Sequence, residues 1–495
     1  MQETEEHLDP NAEITLDTVK SRAVKGVVVL TGRTFILSAL SLVATGLLTV
    51  FLSPAEFGIF WIVSAVVNFL AYFSDIGLAA ALIQKKETPT REDLRTTFTV
   101  QQILVVVLLV VIFLASPMLS RIYNLTAASK LLLYSLGISL FLSSLKTIPS
   151  TLLERKLEFG KLVLPQVLEN LVYNVIAVVL AWKGFGITSF TIAILARGVV
   201  GLIAIYILQP WVPGFAFSRA SLSGLLKFGL PYQANTFLAT IKDDGMTAVL
   251  GGILGPAGVG FLGWAQKWGQ APLRFFMDHV IKVTFPAFAR MQDAKEQLER
   301  SATRSLFFIC FLVFPSLVGL LVLAPTLVAI IPRYGKWEPA LIPLALIAVN
   351  TTFAAVTTQL TNLLNAIGKI KITFKLMMMW TALTWLLVPY LSLKVGINGA
   401  ALGYALVGTS SVIAIAVARR FVKFSLFHSA VKPFISSLAM GAVLIFLKSF
   451  LSVSAISVVI LIAVGIVVYM GLTYLLVGTA FKQDVQKGLR TLFRG

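Results

Sequence analysis

Charge is scarce in this sequence. Only 13% of its 495 residues are Asp, Glu, Lys or Arg, while 57% are hydrophobic. An ordinary soluble domain is roughly a quarter charged, so a large soluble enzyme is excluded. Cysteine occurs once, at Cys310 inside an apolar run, which leaves no intrachain disulfide and no cysteine-ligated metal cluster. The three histidines, His7, His279 and His428, are too far apart to make a ligand spacing. No metal and no cofactor is therefore expected. Polar interdomain linkers are missing too. The start does not read as a signal peptide, because six acids precede the first lysine and neither a basic n-region nor an apolar core follows. It reads instead as an acidic cytoplasmic tail, residues 1–23.

What the chain does contain, from about Val24 onwards, is one apolar stretch of 20 or more residues after another. Each is long enough to cross roughly 30 Å of hydrocarbon at 1.5 Å per residue. Fourteen spans are predicted, at about 25–52, 57–82, 96–119, 129–153, 162–182, 187–209, 228–251, 258–281, 305–325, 339–365, 373–393, 397–418, 433–451 and 454–480. The fold class is an all-α polytopic membrane protein. With the N-terminus inside, 28 of the 41 Lys and Arg fall in inner segments, seven in outer loops and six within spans. This bias places both termini in the cytoplasm and accounts for most of the net charge of +19 without nucleic acid. The outer loops, about a dozen residues at most, leave no room for an extracellular catalytic domain.

Two stretches echo each other about 202 residues apart. Gly58 is followed 17 residues later by Asp75, and Gly260 is followed 18 residues later by Asp278. The repeat implies two pseudo-symmetric six-helix lobes, 24–226 and 227–428. Two further helices occupy 429–481, and a basic cytoplasmic tail occupies 482–495.

Ionised groups at bilayer depth cost at least about 2.5–3.5 kcal/mol each, so each needs a reason. Spans 1–8 hold Arg33, Asp75, Lys146, Glu169, Arg197, Lys242, Asp243, Asp244, Lys267, Arg274 and Asp278, whereas spans 9–14 hold none away from their ends. A net positive aqueous cavity lined by the first eight helices accounts for this. Gln266, Gln270, Arg274 and Asp278 recur every four residues, and Gln166, Asn170 and Asn174 do the same. Structural readings stand beside the functional ones. Lys146 and Asp278 are placed to snorkel, Arg197 to pair with Glu169, and Lys242-Asp243-Asp244 to form one self-neutralised kink. His279 reads as a packing residue, and Asn350, Gln359, Asn362 and Asn365 read as interhelical hydrogen bonding. Composition alone stops at a transporter of something anionic.

Three segments carry a resemblance. The first is Ala55-Glu56-Phe57-Gly58-Ile59 with Ser74-Asp75-Ile76-Gly77-Leu78 and Ile83-Gln84-Lys85-Lys86-Glu87. The second is Leu153-Glu154-Arg155-Lys156-Leu157-Glu158-Phe159, and the third Phe285-Pro286-Ala287-Phe288-Ala289-Arg290-Met291-Gln292. In this order they resemble the polysaccharide transporter family, the Wzx-type oligosaccharide flippases of the multidrug/oligosaccharidyl-lipid/polysaccharide exporter superfamily. The resemblance implies a non-enzymatic flippase. Its substrate would be a polyprenyl-pyrophosphate-linked oligosaccharide, moved across the cytoplasmic membrane by alternating access for O-antigen, capsule or exopolysaccharide synthesis. Polymerase and glycosyltransferases are the implied partners. On this reading Arg33, Lys242, Lys267 and Arg274 hold the pyrophosphate, and Asn68, Asn170, Asn235 and Gln270 contact the glycan. Asp75, Asp243, Asp244 and Asp278 are then the candidates for coupling to an ion. The lipid II flippases of the superfamily carry arginine in their second helix, where this chain has Asp75. Two rivals stay open: a multidrug-type exporter of the same superfamily, and a membrane glycosyltransferase or polymerase.

Overall fold

The computed structural model describes residues 36–477. Arg33 and the two tails lie outside the described residues, as do the side chains of seven residues between 231 and 239, Asn235 among them. No strand occurs among the described residues. The chain forms two compact units, one ending at Val259 and the other starting at Gly260.

The first unit comprises α1 (Ile36–Phe51), α2 (Pro54–Ala71), α3 (Leu78–Gln84), α4 (Arg91–Tyr123) and α5 (Ala127–Leu145). It continues through α6 (Thr147–Arg155), α7 (Phe159–Trp182), α8 (Thr188–Leu208), α9 (Arg219–Thr240) and a π-turn at Ile241–Gly245. α10 (Met246–Arg290) begins in the first unit and ends in the second. There it is followed by α11 (Lys295–Ile330), α12 (Leu341–Ala366), α13 (Ile370–Thr409), α14 (Ser411–Arg419), α15 (Lys432–Lys448) and α16 (Ala455–Val477). In the first unit α8 packs on α5 and α7, and α3 on α6 and α9; in the second, α11 packs on α12, α15 and α16.

Polar side chains start the helices. The Ser53 hydroxyl accepts the Glu56 N–H at 3.3 Å while Glu56 accepts the Ser53 N–H at 2.7 Å, with Pro54 at the first helical position. Thr90 and Asp93 repeat this box at α4. Each such cap contributes about 1 kcal/mol.

Among the described residues, eleven helical runs are long and apolar enough to cross a membrane. Two of them, Ile241–Arg290 and Ile370–Arg419, are 50 residues long, roughly 75 Å if straight and more than twice the hydrocarbon thickness. Glycines with non-helical angles interrupt both, Gly255 (φ 68°, ψ 176°) and Gly396 (φ 63°, ψ −139°). α13 folds back at Gly396, a conformation that glycine adopts without a Cβ penalty. Gly399 lies against the backbone of Leu391 and Gly403 against that of Val388; in one straight helix these pairs would be about 12 and 22 Å apart. The spans expected at 373–393 and 397–418 are the two arms of this hairpin.

The second expected span, 57–82, is not continuous. α2 stops at Ala71, and the chain turns through Ile76 (φ 45°) and Gly77 (φ 79°) before α3 begins. The cause is tertiary: Gly77 sits backbone to backbone on Gly229 of α9. Tyr72 and Gln233 reinforce the contact, the Tyr72 hydroxyl donating to the Gln233 carbonyl and Gln233 Nε2 donating to the Tyr72 carbonyl at 2.7 Å. This packing places α9 in the first compact unit, although the sequence repeat puts it in the second lobe.

Two local features recur along the chain. Pro54 opens α2, and 202 residues later Pro256 restarts the helix after the Gly255 break. The Ser218 N–H donates to Thr96 Oγ1 at 3.1 Å, and the Ser425 N–H donates to Thr303 Oγ1 at 3.4 Å. Both bonds span 122 residues, and the second is the first advanced by 207.

Candidate functional site

Exposed side chains separate two kinds of surface. On α4 they are Ile103, Val106, Val107, Val110, Phe113 and Leu114, and on α16 they include Ile456, Val459, Val467 and Leu475; these faces suit hydrocarbon. On α10 the exposed stripe is Lys267, Arg274, Asp278 and Lys282, with Gln270 half-buried beside it. The spacings of seven and four residues keep these groups on one face. Arg274 donates to Gln270 Oε1 at 3.2 Å, and its charge acts on Lys267. Among the described residues neither cation has an ion-pair partner. Facing lipid, this stripe would cost roughly 8 kcal/mol or more, comparable to the whole stability of a fold. Elsewhere on α10, Trp264, Ala265 and Met277 are buried, and Trp264 stacks on Trp337.

In the first unit, other expected residues gather where the broken second span meets α9 and the π-turn. Asn68, exposed near the end of α2, lies beside Asp244. Lys242 Nζ lies 2.8 Å from Asp243 Oδ1, and that carboxylate is 70% exposed. The Lys242-Asp243-Asp244 run is thus an irregular turn with one internal ion pair, as the kink reading anticipates. Asp75 accepts the Ala79 N–H at 3.2 Å and so caps α3.

A second cluster joins α5, α7 and α8. Lys146 Nζ is 2.6 Å from Glu169 Oε1, and Arg197 Nε is 3.9 Å from Glu169 Oε2. Arg197 also lies over the Tyr173 ring at 5.9 Å. Lys146 is therefore paired, not snorkelling, and Arg197 meets Glu169 as the spacing suggests. The Lys146 and Glu169 side chains are 15% and 14% exposed. Asn170 accepts from Asn174 Nδ2 at 2.7 Å and lies 3.5 Å from Ser41 Oγ on α1. Removing one partner from such a pair strands the others. Glu169→Ala is expected to lower stability by about 3–5 kcal/mol. The melting temperature of the detergent-purified protein measures this, and an unchanged value would deny the cluster any stabilising role.

The polar set on α12 bonds to its neighbours. Asn350 Nδ2 donates to the Tyr404 carbonyl at 2.7 Å, and Gln359 and Asn362 donate to Thr284 Oγ1 at 3.1 and 3.0 Å. Asn365 accepts from Thr373 Oγ1 at 2.6 Å. His279 contacts the Phe275 carbonyl of its own helix at 2.9 Å.

Sequence reasoning missed the role of Arg155. Its guanidinium donates to the carbonyls of Leu82 (2.6 Å), Ile83 (3.1 Å), Lys85 (2.7 Å) and Glu87 (3.2 Å). A cation on the open carbonyls of a helix C-terminus is favourable on both hydrogen-bonding and dipole grounds. Two of the segments that carry the resemblance thereby meet, and Lys85 also reaches Asp93 at 2.6 Å.

Comparison with known proteins agrees with this architecture. The chain is 26% identical over 416 residues to the succinoglycan biosynthesis transport protein ExoT of Rhizobium meliloti (strain 1021), covering 82% of this chain and 83% of that one. It is 26% identical over 381 residues to the lipopolysaccharide biosynthesis protein WzxC of Escherichia coli (strain K12), 76% of each chain being covered. Among solved structures, the lipid II flippase MurJ in an inward closed conformation superposes with a TM-score of 0.76 at 18% identity, covering 92% of this chain and 99% of that one. An inward-facing multidrug resistance MATE family transporter of the MOP superfamily gives 0.58 at 18% identity, with 80% and 98% coverage. These two likenesses establish the fold. The family described as "Polysaccharide biosynthesis protein" matches residues 47–342, more than half of the sequence, and the chain belongs to that family.

Proposed function

We propose that the protein is a flippase that carries polyprenyl-pyrophosphate-linked oligosaccharide units from the cytoplasmic to the outer leaflet of the cytoplasmic membrane. The units would feed assembly of an O-antigen, capsule or exopolysaccharide, with polymerase and glycosyltransferases as partners and both termini in the cytoplasm. The observation that carries this reading is the exposed pair of cations on α10, Lys267 and Arg274, in a helical run long and apolar enough to cross a membrane. The named activities of ExoT and WzxC and the lipid II flippase fold support it.

On this reading Arg33, Lys242, Lys267 and Arg274 hold the pyrophosphate, Arg by its planar fork and Lys as a point charge. Asn68, Asn170, Asn235 and Gln270 contact the glycan. The tail needs an apolar path, and α11, α15 and α16 enclose a groove of about 410 Å³ lined by Leu312, Gly319, Met440, Leu461, Gly465 and Tyr469. With the sugars in water and the tail in hydrocarbon, the barrier to crossing falls and no bond is broken, so the protein is not an enzyme. Two related lobes, 24–226 and 227–428, alternate access. Asp75, Asp243, Asp244 and Asp278 are the groups through which a proton or sodium gradient would couple.

One rival shares this fold, a multidrug-type exporter of the same superfamily. Proteoliposomes loaded with labelled lipid-linked oligosaccharide separate the two. Protein-dependent exposure of the glycan on the opposite leaflet, without efflux of a cationic dye, is the expected result. Dye efflux without glycan exposure would overturn the flippase reading.

A further inference from the structure

The basic ends of the two units follow one plan and differ in one place. In the first unit Asp93 is 4% exposed and fully engaged, by Lys85 Nζ at 2.6 Å, by the Thr90 N–H at 2.9 Å and by the Ser221 hydroxyl. The 207-residue offset that maps the Ser218–Thr96 bond onto Ser425–Thr303 replaces Asp93 by Arg300, Thr97 by Arg304, Ala216 by Lys423 and Ser221 by His428. Where the first unit has a closed network around a carboxylate, the second has an open cavity of about 580 Å³. Arg300, Arg304, Lys423 and His428 line it, with Phe307 and Val477 as its apolar part.

Its two acids are Glu296 and Glu299. Glu299 accepts the Lys423 N–H at 3.2 Å, and Glu296 Oε2 lies 3.6 Å from Arg300, whose side chain is 84% exposed. Among the described residues the Lys423 ammonium has no ion pair. Among the described lining residues, three permanent cations stand against two carboxylates, one net positive charge. That matches the single negative charge of a phosphodiester, not the two or more of a diphosphate.

The level of the cavity selects a lipid over a soluble anion. Phe307 stacks at 5.7 Å on Phe311, which lines the apolar groove one turn further along α11. Polar lining therefore gives way to apolar lining within one helical turn, as at a headgroup–acyl boundary. We propose that this cavity is a second binding site, separate from the translocation residues, for the phosphate of an anionic phospholipid. Arg300 and Lys423 contact the phosphate, and the glycerol lies on Phe307 and Val477.

Native mass spectrometry of the full-length protein in detergent tests this without any transported substrate present. Dioleoylphosphatidylglycerol should be retained at least tenfold more tightly than dioleoylphosphatidylcholine. Arg300→Gln combined with Lys423→Gln should bring that preference below threefold. A labelling measurement on the unaltered protein needs no variant: phosphatidylglycerol should protect Lys423 from an amine-reactive reagent, and phosphatidylcholine should not. Equal retention of both lipids, an undiminished preference in the double variant, or no protection of Lys423 would overturn the proposal. So would equal protection by inorganic phosphate, which would make the cavity a soluble-anion site, or displacement of phosphatidylglycerol by a stoichiometric polyprenyl diphosphate, which would assign it to the isoprenoid lipid.

Discussion

Replacing Lys267 and Arg274 together by alanine is expected to reduce lipid-linked oligosaccharide transport at least 100-fold, with yield and melting temperature unchanged. Both side chains are exposed, and Arg274 donates a hydrogen bond to the neighbouring Gln270. Their loss therefore opens no core cavity and strands no buried charge, and exposed positions of this kind change stability by about 0.5 kcal/mol or less. A hydrogen bond from a cation to a phosphate contributes about 1.5–3 kcal/mol. Two such bonds lost in the rate-determining state correspond to roughly 100-fold or more. Arg274→Lys should recover part of the activity, because a point charge remains while the bidentate fork is lost. The readouts are glycan exposure in proteoliposomes and cell-surface polysaccharide at matched expression. Full activity of the double variant would remove α10 from substrate handling.

The second large effect is one of folding. Gly77→Ala is expected to destabilise the first unit by about 2–5 kcal/mol, combining a left-handed φ penalty of about 1–2 kcal/mol with overpacking of about 1–3 kcal/mol. Gly77 has φ 79°, and a Cβ there would run into the backbone of Gly229. Backbone atoms cannot swing aside as a side-chain tip can, so the Tyr72–Gln233 bonds should open as well. A fall in melting temperature, with new protease sensitivity at residues 72–77, measures this. Ala in place of Gly184, which has an equally positive φ but nothing near its missing Cβ, is the control and should show the φ penalty alone. Equal losses at both positions would show that the contact with Gly229 contributes nothing.

Much of the architecture was legible because membrane insertion acts locally. An apolar run of 20 residues that crosses a bilayer must become a helix wherever it sits in the fold. The breaks at Gly255 and Gly396 fall between expected spans for this reason. The charged face of α10 was legible too, since a spacing of four and seven fixes a face without knowledge of neighbours. The pairing of Glu169 with Arg197 followed from adjacent helices, but the tighter pairing with Lys146 did not, because Lys146 reaches Glu169 from a different helix connection.

Other features had no local signal. Nothing in Ser74-Asp75-Ile76-Gly77 marks a helix break, since one glycine and one aspartate are tolerated inside many helices. Only the approach of Gly229, 152 residues away, makes the turn. Arg155 reads as one more inner-loop cation until the carbonyls of residues 82–87 are seen around it. The 207-residue correspondence between the basic ends emerged from matching hydrogen bonds, because few of the residue types agree.

By itself, then, the sequence determined that this chain is a helical membrane protein and which helices carry charge. These follow from the free energy of moving side chains between water and hydrocarbon, and that quantity is set residue by residue. Tertiary structure decided where helices break, which charges are neutralised and which stay open to water. Those outcomes depend on contacts between residues far apart in the chain, and a backbone approach or a third partner to a carboxylate exists only once the helices have packed.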